Sequence, residues 1–209
     1  MKNLVLIFCF SFFGIPVIYS QHYVGVKGGP NLASINSDQK NSTWLWHAGI
    51  FAQFSIGNNF FIQPEMLYNL KGSDQDKLVI DPFKLRFKFE YFSMPFMFGY
   101  KLGDHVSIMA GPEMSKLVRA TTYLFEGQTN EKFGMKEVDF AINGGVSINF
   151  TDQFGIDLRY SHGLVKAVDI EFTDVNGQSL GGTGDRKNRV LQASLFYGFG
   201  FGTRDMVKE

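Results

Sequence analysis

The chain has 209 residues, with 20 Lys and Arg against 20 Asp and Glu, so its formal net charge at pH 7 is zero. This balance gives no basic surplus for nucleic acid, and after the first twenty residues no apolar run reaches the roughly 18 residues of a membrane-spanning helix. The 23 Phe and 23 Gly, with aromatic residues at 16%, instead favour a strand protein with close backbone approaches.

The first twenty residues have the pattern of an export signal. Lys2 gives a positive start, residues 4–13 form an apolar run, and Ser20 places a small side chain before Gln21. We therefore expect cleavage near Gln21. Cys9 is the only cysteine and lies within this leader, so we expect a mature chain without disulfides or thiolate chemistry.

After the leader, apolar and polar residues alternate with a period of two, which predicts strands rather than helices. Eight strands are predicted, at about 22–32, 44–56, 60–71, 86–101, 105–119, 136–150, 154–167 and 187–202. The connections between them alternate in length. Tight turns are predicted at 57–59, 103–104 and 151–153, and long polar links at about 33–43, 72–85, 120–135 and 168–186.

Short turns at one end and long loops at the other are typical of an outer-membrane barrel with an even number of strands. We therefore predict an all-β fold, an eight-stranded antiparallel up-and-down transmembrane β-barrel with short periplasmic turns and long extracellular loops. The predicted segments are a signal peptide at 1–20, the barrel at 21–202 and a periplasmic tail at 203–209. The expected location is the cell outer membrane.

Alternation alone does not tell which face of a strand meets lipid, because a soluble lipocalin-like barrel would turn its apolar face inward. The sixth predicted strand separates the two possibilities. Opposite its apolar face it carries Asp139, Ala141, Asn143, Gly145, Ser147 and Asn149. Such small side chains suit the inside of an eight-stranded barrel, which side chains just fill. Aromatic residues near both rims also fit two membrane interfaces, so the membrane barrel is favoured.

The fourth predicted strand is irregular. Phe87, Phe89 and Tyr91 alternate in one phase, and the aromatic residues from Phe92 onward alternate in the other. This pattern predicts a bulge or phase change near Tyr91 and Phe92, which would bend the strand where it leaves the membrane. The alternative is that the residues before 91 stand above the lipid, where either face is acceptable.

Several segments share their order and character with a known family. They are GVKGGPNLASI (25–35), FFIQPEMLYNLKGS (60–73), YFSMPFMFGYKLG (91–103), SIMAGPEMSKLV (107–118), DFAINGGVSINF (139–150), IDLRYSHGLVKA (156–167) and KNRVLQASLFYGFGF (187–201). Together they resemble the PorT-like outer-membrane β-barrel family of Bacteroidota, often labelled the porin family. The resemblance covers essentially the whole mature chain and carries no catalytic residues. It implies an eight-stranded outer-membrane barrel and, from the member that names the family, a link to protein secretion.

The end of the chain departs from what such a resemblance implies. The barrel assembly machinery recognises an aromatic-rich last strand, and the last predicted strand fits with Tyr197, Phe199 and Phe201. The tail TRDMVKE at 203–209 follows, where a terminal aromatic residue is usual.

Charged residues fall on the predicted inward faces of several strands. Counted from the turns, Lys27, Glu65, Asp157 and Arg159 lie at similar depth, and Glu113 lies higher. Pairing around the 151–153 turn places Arg159 near Gly145, which leaves room for a guanidinium. Buried charges persist only when paired, and Arg suits several carboxylates. The sequence predicts a structural charge network in the lumen, with Glu65 and Asp157 as the partners of Arg159. A proton or ion path is the alternative.

No catalytic, cofactor or metal site is predicted. The nearest to a lipid A-modifying active site is the pair Ser161–His162 with Asp169, but His162 belongs to the apolar phase of its strand. His22, His47 and His105 are scattered, with His47 expected to point inward. The stretch 174–177 resembles a calcium loop only faintly, since the later Glu and the flanking helices are missing.

We therefore expect a non-enzymatic outer-membrane barrel with a plugged lumen, which presents its loops as a structural or binding scaffold. A PorT-like accessory for protein secretion or envelope assembly is the alternative. A diffusion porin is disfavoured because eight strands leave no aqueous channel. The expected partners are membrane lipid, lipopolysaccharide and the barrel assembly machinery, with secretion-system proteins under the alternative and no nucleic acid.

Overall fold

The computed structural model describes residues 22–35, 42–77, 84–124, 127–129, 136–166, 171–173, 179–182 and 187–201. These hold the strands β1 (His22–Ser34), β2 (Thr43–Ile56), β3 (Phe60–Lys77), β4 (Lys84–Lys101), β5 (Val106–Leu124), β6 (Gly127–Thr129), β7 (Val138–Asn149), β8 (Phe154–Lys166), β9 (Glu171–Thr173), β10 (Ser179–Gly182) and β11 (Lys187–Phe201). Within these ranges, no helix is long and apolar enough to cross a membrane. The predicted leader at 1–20, the predicted tail at 203–209, Asp169 and the stretch 174–177 lie outside them.

The eight long strands close into an antiparallel barrel. Each pairs with its neighbours along the chain, and β1 completes the ring by pairing with β11 from His22↔Phe201 to Ser34↔Arg189. Closure leaves no long strand with an unpaired edge, which is what strands require in lipid. The predicted eight-stranded antiparallel barrel is confirmed.

The tight turns lie together at one end of the barrel, as predicted. They join β2 to β3, β4 to β5 and β7 to β8. Gly57 and Gly103 adopt φ angles of 65° and 129°, a backbone region that side chains with a β carbon avoid, so glycine suits both turns. We call this end of the barrel the turn end and the opposite end the loop end.

At the loop end the strands run further than the sequence predicted. β3 continues to Lys77 and β5 to Leu124, and the short strand β6 pairs with β5. β9 and β10 pair with each other inside the last long link. The boundaries predicted at 71 and 119 were therefore wrong, because hairpin pairing continues beyond the apolar band, where neither face needs to be apolar.

The predicted phase change in the fourth strand was also wrong. Phe89 and Tyr91 are buried on the same inner face as Met97, whereas Phe92 points outward. The irregularity lies on β5, where the register shifts between Glu90↔Arg119 and Tyr91↔Leu117 and leaves Val118 as the extra residue. The sequence was misread because these two aromatic side chains fill the lumen rather than face lipid.

The two faces of the wall differ sharply in polarity. Outward side chains are large and apolar, for example Trp44, Ile50 and Phe199, which are 72%, 51% and 60% exposed. Inward side chains are buried and largely polar, including asparagines, serines and seven charged residues, Lys27, Glu65, Lys71, Glu113, Asp139, Asp157 and Arg159. The outer face therefore suits a lipid environment, and the polar core of the protein is its lumen.

Candidate functional site in the barrel lumen

A cluster of four charged side chains crosses the middle of the lumen. Lys27 comes from β1, Glu65 from β3, and Asp157 and Arg159 from β8, and all four are at most 5% exposed. Arg159 donates two hydrogen bonds to Glu65, Nη1 to Oε2 at 2.9 Å and Nη2 to Oε1 at 2.7 Å. Lys27 Nζ lies 3.1 Å from Glu65 Oε1 and also contacts Asp157. We call this set the Arg159 cluster.

The Arg159 cluster balances its own charge, with two cations and two carboxylates. Glu65 accepts a further bond from Gln63 Nε2 at 2.7 Å, and Arg159 Nη2 lies 3.9 Å from Asp157. Paired, hydrogen-bonded charges are the form in which ions are tolerated in a dry interior. Glu65 accepts two hydrogen bonds from one planar guanidinium, a geometry that arginine provides and lysine does not.

A glycine on the neighbouring strand allows Arg159 its position. Gly145 pairs with Arg159, the register expected from the sequence. A β carbon at Gly145 would lie 2.5 Å from the Leu158 carbonyl oxygen and 3.2 Å from the Arg159 β carbon. Glycine therefore relieves crowding at the base of the arginine side chain.

A layer of neutral polar side chains adjoins the Arg159 cluster. His47 joins Asn31 through Nδ1 at 2.6 Å and Ser194 through Nε2 at 2.7 Å. Asn31 in turn donates to Asn69 Oδ1 at 2.8 Å, which Gln192 also reaches at 3.4 Å. His47 points inward as expected, and its two bonded ring nitrogens make it a cross-link between strands.

A second charged cluster lies nearer the loop end. Lys71 on β3 contacts Glu113 on β5 at 2.9 Å and Asp139 on β7 at 3.2 Å, and all three are at most 2% exposed. Ser115 and Asn143 each bond to Glu113 at 2.9 Å. We call Lys71, Glu113 and Asp139 the Lys71 cluster. Its two carboxylates share one lysine.

Two neighbours complete the surroundings of the Lys71 cluster. Asn188 donates to Asp139 at 2.9 Å. The Lys71 ammonium also lies 5.1 Å from the centre of the Tyr91 ring, within the range of a cation–π contact. The inward-facing Tyr91 therefore contributes to holding Lys71 in place.

The structure divides the charged residues that the sequence grouped together. Lys27, Glu65, Asp157 and Arg159 lie together, whereas Glu113 pairs with Lys71 instead. Lys71 was not predicted as a lumen residue, because it stands at the end of the predicted third strand (60–71), where a lysine is expected at the rim of the barrel. The available signal was its phase, since Lys71 continues the inward series of Gln63, Glu65, Leu67 and Asn69.

The turn end of the lumen is lined differently. Phe61, Met97 and Met109 form an apolar cluster, and Phe51 meets Phe196 edge-on with ring centres 5.9 Å apart. Below these rings a cavity of about 660 Å³ opens among the tight turns. Its lining is mostly polar and includes Gln53, Asn59, Lys101, His105 and Gln153. The turn end thus presents a polar vestibule that is backed by aromatic rings.

The candidate pair Ser161–His162 is divided between the two faces of β8. Ser161 is buried on the inner face of β8, and its neighbour His162 points outward. The two side chains lie on opposite sides of the barrel wall, so they do not form a nucleophile and base pair. Within the described ranges, no three His, Cys, Asp or Glu side chains are placed to hold a metal ion.

Comparisons with known proteins agree with this architecture. The model of the outer membrane protein beta-barrel domain matches residues 19–169. Neisserial surface protein A superposes with a TM-score of 0.51 at 15% identity, covering 86% of this chain and 99% of that one. The attachment invasion locus protein Ail of Yersinia pestis gives 0.48 at 12% identity, covering 87% and 100%. Among curated proteins, none matches the sequence. At these identities the likeness to the Neisserial protein shows the fold alone.

Proposed function

Because the chain belongs to the outer membrane protein beta-barrel domain family, we propose that it is a non-enzymatic integral outer-membrane barrel with a closed lumen. Its long loops then form the structural or binding scaffold, and the residues at 1–20 direct its export. The proposal is supported by the burial of the Arg159 cluster, the neutral layer and the Lys71 cluster inside the barrel. With the interior occupied by its own side chains, the surfaces left for a ligand are the loops and the rims.

The contacts inside the lumen favour a structural role over a proton or ion path. Every charge in the Arg159 cluster meets an opposite charge at hydrogen-bond distance, and the adjoining layer is neutral and bonded within itself. A mobile ion would have to separate these pairs in a medium where unpaired charges are costly.

A closed lumen predicts the absence of a steady channel. We expect the purified barrel, inserted in planar lipid bilayers, to show no stable open level in single-channel recordings, because eight strands leave space only for side chains. A sixteen-stranded porin recorded in the same bilayers is the positive control. A persistent large conductance from this protein would overturn the closed lumen.

The proposed orientation predicts one-sided accessibility of the two ends. Glu137, at the loop end, and Asn58, in a tight turn, are both exposed, and the only native cysteine is Cys9 in the leader. We expect Glu137→Cys to react with a membrane-impermeant maleimide on intact cells. The matched variant Asn58→Cys should react only after the outer membrane is permeabilised. The reverse pattern contradicts extracellular loops.

A PorT-like accessory role in secretion or envelope assembly is the second candidate. The polar vestibule at the turn end supports it, because on the proposed orientation this cavity faces the periplasm. A cleavable photo-crosslinker on Asn58→Cys should then capture a discrete periplasmic protein that Glu137→Cys does not capture. Equal or no capture from both positions favours the scaffold alone.

A further inference from the structure

The Lys71 cluster carries more negative than positive charge. Lys71 contacts the carboxylates of both Glu113 and Asp139, so one cation serves two anions. The Arg159 cluster is balanced within itself and does not make up the difference. Across the described part of the lumen, three buried cations face four buried carboxylates, and one negative charge is left over. Because an uncompensated buried charge is costly, this region favours one further positive charge.

Two buried oxygen atoms beside the Lys71 cluster lack a hydrogen-bond donor among the residues that the structure describes. They are Asp139 Oδ1 and Asn188 Oδ1, and both residues are 2% exposed. Asn188 Nδ2 donates to the other carboxylate oxygen, Asp139 Oδ2, at 2.9 Å. This bond fixes the amide with its nitrogen towards Asp139, so the unpartnered atom is the carbonyl oxygen. The two groups are therefore in contact, with one unpartnered oxygen on each.

The surroundings of these two oxygens combine one more oxygen with a dry apolar layer. The Tyr91 hydroxyl oxygen lies 3.5 Å from Asn188 Nδ2. Towards the loop end, the next inward side chains on β4 and β5 are Phe89, Leu117 and Ala120, each at most 2% exposed. A ligand at the unpartnered oxygens is thus enclosed by protein, and the site suits a single small ion rather than a larger molecule.

The chemistry of the site indicates the kind of cation. Carboxylate, carbonyl and hydroxyl oxygens are ligands of hard metal ions. A monovalent ion adds the one positive charge that the count requires, whereas a divalent ion would leave the lumen with an excess positive charge. A proton would also balance the charge, but an ordinary carboxylate holds a proton only at acidic pH, while alkali ions are available at neutral pH. A water molecule supplies donors without charge.

We propose that the Lys71 cluster binds one alkali metal ion, sodium or potassium, at Asp139 Oδ1 and Asn188 Oδ1. The Tyr91 hydroxyl provides a third oxygen. The ion supplements Lys71 and brings the net charge of the buried side chains in the described lumen to zero. This inference goes beyond the proposed scaffold function, since the ion is fixed in place and leaves the lumen closed.

Linkage between ion binding and unfolding tests the proposal. The protein in lipid vesicles is unfolded with urea and followed by tryptophan fluorescence, while NaCl or KCl replaces N-methylglucamine chloride at constant total salt and pH. One ion bound only by the folded state raises the ratio of folded to unfolded protein about tenfold for each tenfold rise in ion concentration above its Kd. We expect this dependence for the wild type with sodium or potassium, and none for Asp139→Asn or Asn188→Leu.

Glu137→Gln is the matched control, because it removes one acidic charge from an exposed position two residues before Asp139. It should retain the ion dependence of the wild type. A second expected result concerns N-methylglucamine alone. There Asp139→Asn should be at least as stable as the wild type, because it removes the uncompensated buried charge. If Asp139 served only as a hydrogen-bond acceptor, the substitution would lower stability instead.

Several results would overturn the proposal. They are no alkali-ion dependence in the wild type, an equal dependence in Asp139→Asn, or loss of the dependence in Glu137→Gln. Stability that follows pH and not the alkali ion indicates a proton, and a stronger effect of calcium at equal concentration indicates a divalent site, so each also contradicts it. Both orientations of the barrel give the same result in this assay, so its failure is distinct from failure of the cysteine-labelling test.

Discussion

Replacing Arg159 with methionine is expected to lower the free energy of unfolding by about 3–5 kcal/mol, the range for breaking a buried ion pair from one side. The substitution removes both hydrogen bonds to Glu65 and leaves two carboxylates with Lys27 alone. Urea unfolding of the barrel in lipid vesicles, followed by tryptophan fluorescence, measures the change. Trp44 and Trp46 lie on the outer surface and are 72% and 51% exposed, so they report on the lipid environment.

A compensating substitution separates loss of charge balance from loss of packing. In Arg159→Met/Glu65→Gln the Lys27–Asp157 pair remains and the cluster is neutral again. We expect this variant to regain about 1–3 kcal/mol relative to the sum of the two single changes, as coupled neighbours do. Arg119→Met, on the exposed bulge of β5, is the matched control and should change stability by less than about 1 kcal/mol. Stability of Arg159→Met equal to that of the control would contradict a structural charge network.

The Lys71 cluster should respond still more clearly to loss of its single cation. Lys71→Met leaves Glu113 and Asp139 buried without the lysine that both contact. We expect a loss of about 3–5 kcal/mol in the same unfolding assay, because an uncompensated buried charge is retained in the folded state. The residue is fully buried, so solvent offers little relief.

The control for this prediction is a lysine on the opposite side of the wall. Lys116 is exposed on the outer face of β5, and Lys116→Met should be neutral within about 1 kcal/mol or stabilising, since methionine suits lipid. Lys71→Met/Glu113→Gln/Asp139→Asn carries no charge in the cluster and should be more stable than Lys71→Met. If the triple variant is the less stable of the two, the cost arises from lost hydrogen bonds rather than from charge.

Much of the fold followed from local patterns in the sequence. The alternation of apolar and polar residues, with tight turns at one end, predicted eight strands and a closed barrel, and both are confirmed. The pairing of Arg159 with Gly145 was also accessible, because a short turn sets the register of the hairpin that it closes. The strands and the hairpin registers depend on neighbouring segments of the chain alone.

Other features required the closed ring. Glu65 meets Arg159, and Lys71 meets Asp139, across strands that are far apart along the chain. Such pairs depend on the stagger accumulated around the whole barrel, which no single hairpin specifies. The position of Tyr91 also required the closed ring. An aromatic residue in this strand is expected to face lipid, but the Tyr91 ring contacts Lys71 inside the lumen.

The sequence by itself therefore predicted the eight long strands and, for most of them, the polarity of the two faces, because both depend on a period of two residues. The order of the strands followed from the tight turns. Only the tertiary structure decided which buried charges pair, since partners across the lumen are set by closure between β1 and β11. It also placed Lys187 opposite Lys166, because the pairing of β8 with β11 brings together residues from both sides of a long link.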